Sequence, residues 1–367
     1  MIQLQTSGKP KNIYKYIIGT IQVEDIAKSI FILDSDDLNQ KIVLSSKSTG
    51  LEHSTGIFDV KIDHLTPGDI VIVFPNGVIN TLFRVESEDN TLFMTNNCNQ
   101  NCIMCSQPPK RMNDIEQLFE INSKLIELIP LSTKQIGISG GEPTLGGKYL
   151  FLLLAKLYNR IPEIKVVVLS NALLLSEESY FQNLEGLDKE RILFSVPLYG
   201  DNEYTHDFIV RSKGSFYKTV RGIHNLFHYG FRVELRVIPQ KSNLLRLEKI
   251  SHFIYKNLTF VEQVAFMGIE NIGNARKNIQ DIWVHPEKLI SPLEYATNFL
   301  LISGINCSLY NYQPCILNLP LREICQSTIS DWKLEYLPIC EKCNSKNSCG
   351  GIFNSSLEIM KEYINPL

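Results

Sequence analysis

Between residues 90 and 290, short apolar runs alternate with stretches whose apolar residues recur at helical spacing. No other feature of the sequence constrains the fold as much. The runs Thr91–Thr95, Gln135–Ser139, Lys165–Leu169, Arg191–Val196, Arg232–Ile238 and Gln263–Gly268 have the length and character of buried strands. Between the first two, Ile115, Leu118, Phe119, Leu125, Ile126 and Ile129 mark one face of a helix over Asp114–Ile129. Further helices are predicted at Lys148–Asn159, Glu177–Asn183, Ser215–Tyr229 and Leu244–Lys256. Strands joined by helices long enough to return the chain lie parallel. The expectation is an α/β fold on a six-stranded parallel sheet, closed or open, whose ligands bind at the C-terminal strand ends. Motifs that carry chemistry should therefore follow strands rather than lie in the crossover helices.

The flanks read differently. Residues 1–89 form a small β-rich accessory domain, with strand candidates at Tyr14–Val23, Ser29–Leu33, Lys41–Ser45 and Phe58–Ile62. A hairpin joins Asp69–Phe74 to Val78–Val85 through Pro75-Asn76-Gly77. Residues 90–290 are the core, and 291–367 form a cysteine-rich extension. The chain has 367 residues, 44% of them hydrophobic and 20% charged, which is ordinary for a soluble globular protein. Its formal net charge of −3 supplies no basic face for a phosphate backbone and disfavours nucleic acid as a partner. No apolar run approaches the roughly 20 residues of a membrane span, and the N-terminus lacks a signal-peptide core, so a cytoplasmic protein is expected.

Nine cysteines in a reducing compartment call for metal or redox chemistry rather than disulfides. Three stand at Cys98, Cys102 and Cys105, and the other six lie between Cys307 and Cys349. The first group follows the first strand. Its spacing supplies three thiolates on one short loop, which suits three irons of a [4Fe–4S] cubane and leaves the fourth without a protein ligand. Structural zinc would want a fourth local ligand, and none is present. The second strand runs into Ser139-Gly140-Gly141-Glu142-Pro143-Thr144, where paired glycines let a ligand approach the backbone.

With these two motifs on successive strand ends, the sequence resembles the radical S-adenosylmethionine (SAM) superfamily. The resemblance implies a partial (β/α)6 TIM-like barrel, a [4Fe–4S] cluster on Cys98, Cys102 and Cys105, SAM on the open iron, and an external electron donor. It implies that Gly140, Gly141 and Glu142, with Pro143 closing the motif, meet the methionyl amino group. Met104 stands where such sites often carry an aromatic residue. At the third strand end, Ser170 and Asn171 are candidates for a ribose or carboxylate contact, or an ordinary polar loop. Ser195 is a substitute for a SAM-contacting serine that the superfamily often places where Pro197 stands. Arg236 is placed to meet the SAM carboxylate or to pair with Glu234, and Met267 to flank adenine or pack in the core. His206 and Asp207 read as loop-capping residues.

In the extension, Cys340, Cys343 and Cys349 form a compact thiol group, with Cys315 as the fourth ligand and Cys325 or Cys307 as rivals. The spacing partly resembles the SPASM and twitch extensions of peptide-modifying radical SAM enzymes, implying a second metal site that holds an auxiliary [4Fe–4S] cluster or zinc. Cys105–Lys110, Tyr204–Asp207, Ser215-Phe216 and Ile329–Lys333 together are similar to the C-type His-Xaa-Ser system radical SAM maturases. That similarity implies a peptide or protein precursor as substrate and a second radical SAM maturase as partner. Two other readings stay open: a radical SAM enzyme acting on a small molecule or tRNA, and a non-catalytic iron–sulfur or zinc scaffold for a partner maturase.

Overall fold

The computed structural model of the protein describes residues 4–25, 30–34, 42–47, 54–184 and 186–367. Its centre is one parallel sheet of β1 (Thr91–Phe93), β2 (Gln135–Ser139), β3 (Lys165–Leu169), β4 (Ile192–Pro197), β5 (Arg232–Val237), β6 (Gln263–Met267), β7 (Cys307–Tyr310) and β8 (Cys325–Gln326). The strands lie side by side in chain order, each parallel to the next. The expected barrel of six strands is thus extended by two. Both extra strands come from the cysteine-rich segment and were missed because four and two residues are too few to show a period.

The crossovers include α1 (Ile115–Leu128), α2 (Lys148–Arg160), α3 (Glu203–Val210), α4 (Ser215–His228) and α5 (Leu247–Asn257), followed after β6 by α6 (Gly273–Lys277), α7 (Ile279–Ile282) and α8 (Pro286–Ile302). The helix expected at Glu177–Asn183 is instead a 3₁₀ segment, Glu178–Leu184. Each long helix buries one stripe, such as Ile121, Leu125 and Ile126 of α1, against apolar strand residues. Phe194 and Phe266 are fully enclosed in that core. At several kcal/mol for truncating a buried aromatic side chain, about 3–5 each, such residues fix the strand ends in space.

The N-terminal residues form a second sheet whose order begins with Gln5–Ser7 and ends with Lys9–Lys11. The first segment pairs with Val78–Phe83 and the second with Gly56–Phe58. These two edges are consecutive in the chain, separated only by Gly8, so the sheet closes on itself and exposes no long edge. The predicted hairpin turns at Gly77, whose N–H donates to the Phe74 carbonyl. Ser29 and Lys41, the first residues of two predicted strands, lie outside the described residues. Ile70–Val73 serves two cores by strand alternation: Val71 and Val73 face the sheet's own interior, while Ile70 and Ile72 join the main core.

Beyond β8, a short antiparallel pair, Leu334–Glu335 with Ile352–Phe353, anchors the last residues. Arg84, ahead of β1, forms an ion pair with Asp331, beyond β8. Side chains thereby tie together the segments that flank the two edges of the parallel sheet. Among the described residues, no helix is long and apolar enough to cross a membrane.

Candidate functional site

The strand ends β1 to β6 open onto one cavity. Cys98, Cys102 and Cys105 line it together with Gly140, Gly141 and Glu142 from β2, and Ser170 and Asn171 from β3. Ser195, Arg236 and Met267 bring in β4, β5 and β6. Of the residues singled out from the sequence for cofactor contact, Pro143 alone stays outside this wall, buried at the start of a 3₁₀ turn.

The glycine pair has a reason the sequence did not show. Gly140 has φ +148, and a Cβ there would lie 2.7 Å from the Thr95 carbonyl oxygen. A Cβ on Gly141 would collide with the Asn97 carbonyl. Gly141 N–H donates to Thr95 O at 2.7 Å and Glu142 N–H to Asn97 O at 2.8 Å. What the missing side chains admit is therefore the backbone that leads to Cys98, pressed against the end of β2.

Glu142, 1% exposed, is engaged by the protein itself. Its Oε1 accepts from Thr144 N–H at 3.0 Å, Thr144 Oγ1 at 2.5 Å and Ser170 Oγ at 2.7 Å, and its Oε2 from Asn171 N–H at 2.7 Å. Burial raises its carboxyl above the ordinary value, and these hydrogen bonds only partly offset the rise. One acceptor position on Oε2 is left for a ligand. Ser170 and Asn171 act mainly on their neighbours: Asn171 Nδ2 donates to Asn99 Oδ1 at 2.6 Å and lies 3.8 Å from Cys98 Sγ.

On the next strands the salt-bridge alternative for Arg236 is what the geometry contains. Arg236 Nε donates to Glu234 Oε1 at 2.7 Å, and Ser195 Oγ donates to the same oxygen at 2.8 Å. Ser195 is thus turned to Glu234. Gln263 and Tyr310 complete the carboxylate's shell through Oε2. Burial alone would raise Glu234, but the Arg236 guanidinium and these donors outweigh it and hold the carboxyl below its usual value. The terminal nitrogens of Arg236 make no hydrogen bond among the described residues, and the side chain borders the cavity.

Several residues that shape the site carried no local signal. The Asp114 carboxylate, just ahead of α1, accepts from Thr95 Oγ1, Asn96 N–H, Asn96 Nδ2 and Asn97 Nδ2. Asn274 Nδ2 donates to the Cys102 carbonyl at 3.0 Å and Asn278 Nδ2 to that of Ile103 at 2.7 Å. Gly273, at φ +59, lets α6 come against the Cys105 carbonyl. His206 and Asp207 stay out of the cavity. Asp207 caps α4 through Phe216 N–H at 2.8 Å, and His206 Nδ1 accepts from Tyr199 N–H, with burial lowering the ring to about 4.

The donor set suits an iron–sulfur cluster. Burial pushes the Cys98 thiol up to about 11 and raises Cys102 further, and the charges of neighbouring cysteines add to both. A bound cation reverses that repulsion. Among the described residues, no three His, Cys, Asp or Glu side chains gather closely enough around one point to hold a single metal ion. Ligands spread over separate irons need no such point.

A second thiol group lies apart. Cys315, Cys340, Cys343 and Cys349 line one pocket, with Tyr336 and Ile364 among its walls. Of the rivals for the fourth position, Cys325 Sγ faces the Tyr312 carbonyl at 3.2 Å and Cys307 is buried on β7.

Residues 92–246 match the radical SAM superfamily. Fe-coproporphyrin III synthase of Methanosarcina barkeri (strain Fusaro / DSM 804) is 30% identical over 192 residues, 49% of this chain and 46% of that protein. The chain thus spans about half the length of the curated relative it matches, at 46%. The crystal structure of Streptococcus suis SuiB bound to S-adenosylmethionine is 14% identical, covering 62% of this chain and 51% of SuiB with a TM-score of 0.48. Native anSMEcpe with bound AdoMet and the Cp18Cys peptide is 18% identical, covering 60% of this chain and 62% of that one with a TM-score of 0.45.

Proposed function

We propose that this chain is a radical SAM enzyme that holds a [4Fe–4S] cluster on Cys98, Cys102 and Cys105 and binds SAM beside it. The observation that carries the reading is the convergence of those thiols with residues from the ends of β2 to β6 on one cavity wall. When bound, the cluster supplies one electron that splits SAM into methionine and a 5′-deoxyadenosyl radical, which takes a hydrogen atom from the substrate.

The chain's own residues bind and orient. The free acceptor position on Glu142 Oε2 suits the ammonium of SAM, and the terminal nitrogens of Arg236 suit its carboxylate. Ser195 acts through Glu234, fixing the guanidinium from behind. Met104 and Met267 offer apolar flanks for the adenine. Anaerobically reconstituted protein given SAM and a strong reductant is expected to release 5′-deoxyadenosine, and its absence overturns the reading.

For the substrate we propose a ribosomally made precursor of the His-Xaa-Ser type, processed with a partner maturase in the cytoplasm. The resemblance of Cys105–Lys110 and Ile329–Lys333 to those maturases supports it, as does a four-thiol cavity suited to an auxiliary cluster. A second reading, a small-molecule substrate, is favoured by the relative named Fe-coproporphyrin III synthase. Co-expression with precursor and partner, followed by peptide mass spectrometry, separates the two: a mass shift on the peptide supports the first. A non-catalytic scaffold would keep its partner binding in Cys102→Ala, whereas an enzyme loses SAM cleavage.

A further inference from the structure

Gln100 lies between Cys98 and Cys102 and is the buried polar side chain of that loop, 5% exposed, while Asn99 and Asn101 face solvent. It borders the cavity. Its Nε2 is enclosed without a hydrogen-bond partner among the described residues, and its Oε1 lies 3.8 Å from Cys102 Sγ. With a protonated thiol, S–H donates to that oxygen. Iron binds the thiolate, so on cluster binding the proton leaves and the sulfur becomes an acceptor. A carbonyl oxygen facing a thiolate is repelled. A half-turn of the terminal amide keeps its shape and exchanges Oε1 for Nε2. The orphaned donor then meets the sulfur that lacks a proton.

Resting on the cluster reading above, we propose that Gln100 is a positioning residue whose side-chain amide donates to the Cys102 thiolate in the loaded protein and raises the reduction potential of the cluster. Hydrogen bonds to cluster sulfurs draw off negative charge and favour the more negative, reduced state. Cys98 offers the contrast. The Gln100 backbone N–H donates to its sulfur at 3.4 Å and Asn171 Nδ2 lies 3.8 Å away, so a change in the Gln100 side chain leaves both of those donors in place.

The test compares wild type, Gln100→Met and Gln100→Glu after anaerobic reconstitution, each assayed for iron and sulfide and titrated electrochemically with EPR of the reduced cluster. Gln100→Met is expected to hold the wild-type iron content and to titrate at a more negative potential. Gln100→Glu, of the same shape but without the amide N–H donors, should also titrate at a more negative potential than wild type. A fully loaded Gln100→Met at the wild-type potential overturns the proposal while leaving the cluster reading intact. Wild-type protein that binds no iron overturns both. Should Gln100→Met fail to load, Gln100→Glu decides: a fully loaded protein at the wild-type potential overturns the assignment.

Discussion

The two thiol groups are built on different principles. The Cys98–Cys105 loop is held from outside: by Asp114 ahead of α1, by Asn171 after β3, and by Asn274 and Asn278 beyond β6. The second group draws more on its own segment, with outside support from Gln313 Nε2 on the Gly351 carbonyl at 2.7 Å and from Asn271 on Ser355 and Ser356. Cys340 sits in a small core with Ile352, Met360 and Ile364, and two of its sulfurs take backbone donors nearby, Gly351 N–H on Cys349 at 3.3 Å and Leu367 N–H on Cys343 at 3.4 Å. A loop clamped by distant elements has its shape set before any metal arrives. A segment of 3₁₀ turns with a small core has less of its own to hold its shape, and the metal proposed for it would supply the rest.

The sharpest way to break this comparison is to remove one thiol from each group. Cys102→Ala should abolish SAM cleavage, whereas Cys343→Ala should keep cleavage measurable and lower only the metal proposed for the second group, read as bound iron and zinc per chain. Equal loss of cleavage in both would erase the distinction. Chelation of the metals should come next in size. Amide hydrogen exchange is expected to rise more than about tenfold across residues 337–367 and to change little across 95–105, because local stability follows buried contacts. Uniform exchange through both segments would refute it.

Asp114→Ala should destabilise the protein by about 3 kcal/mol in urea titration, since charge-assisted hydrogen bonds contribute roughly 1.5–3 kcal/mol each and the donors left behind can partly re-solvate. Burial would raise the Asp114 carboxyl, but donors from Thr95 and Asn96 outweigh it and hold it below the ordinary value. Its contribution is therefore complete above the unfolded carboxylate value of about 4 and is lost as pH falls through the depressed folded value. Asp114→Asn should flatten that acid limb. Glu142 has the opposite sign. Its raised carboxyl contributes stability when protonated, and that stability declines as pH rises through the folded value. The smallest effect is expected for Lys346→Ala, which removes a surface pair with Glu341 beside the second group. A change under about 1 kcal/mol is expected, and a larger one would mean that this segment draws on its surface charges.

Much of the scaffold was legible because its information is local. The six strands of the central region announce themselves by length and apolar character, and the helices by apolar residues repeating along one face. β7 and β8 were not legible, being too short for any period, and Cys307 and Cys325 at their starts read only as surplus thiols. The candidate site shows the same divide. The residues expected at the cavity are there except Pro143, yet the partners of several were not foreseen.

The sequence by itself determined that three thiols share one short loop after a strand, that a Gly-Gly-Glu turn follows the next, and that the strands between helices run parallel. Spacing along the chain and residue chemistry suffice for that. Only the tertiary structure decided that Gly140 and Gly141 make room for the backbone of Thr95–Asn97, that Glu142 spends most of its acceptors on Thr144, Ser170 and Asn171, and that Arg236 leans on Glu234 with Ser195. Those choices join residues tens of positions apart on neighbouring strand ends. Burial forces each polar group there to find a partner, and which partner lies within reach is a property of the packed sheet.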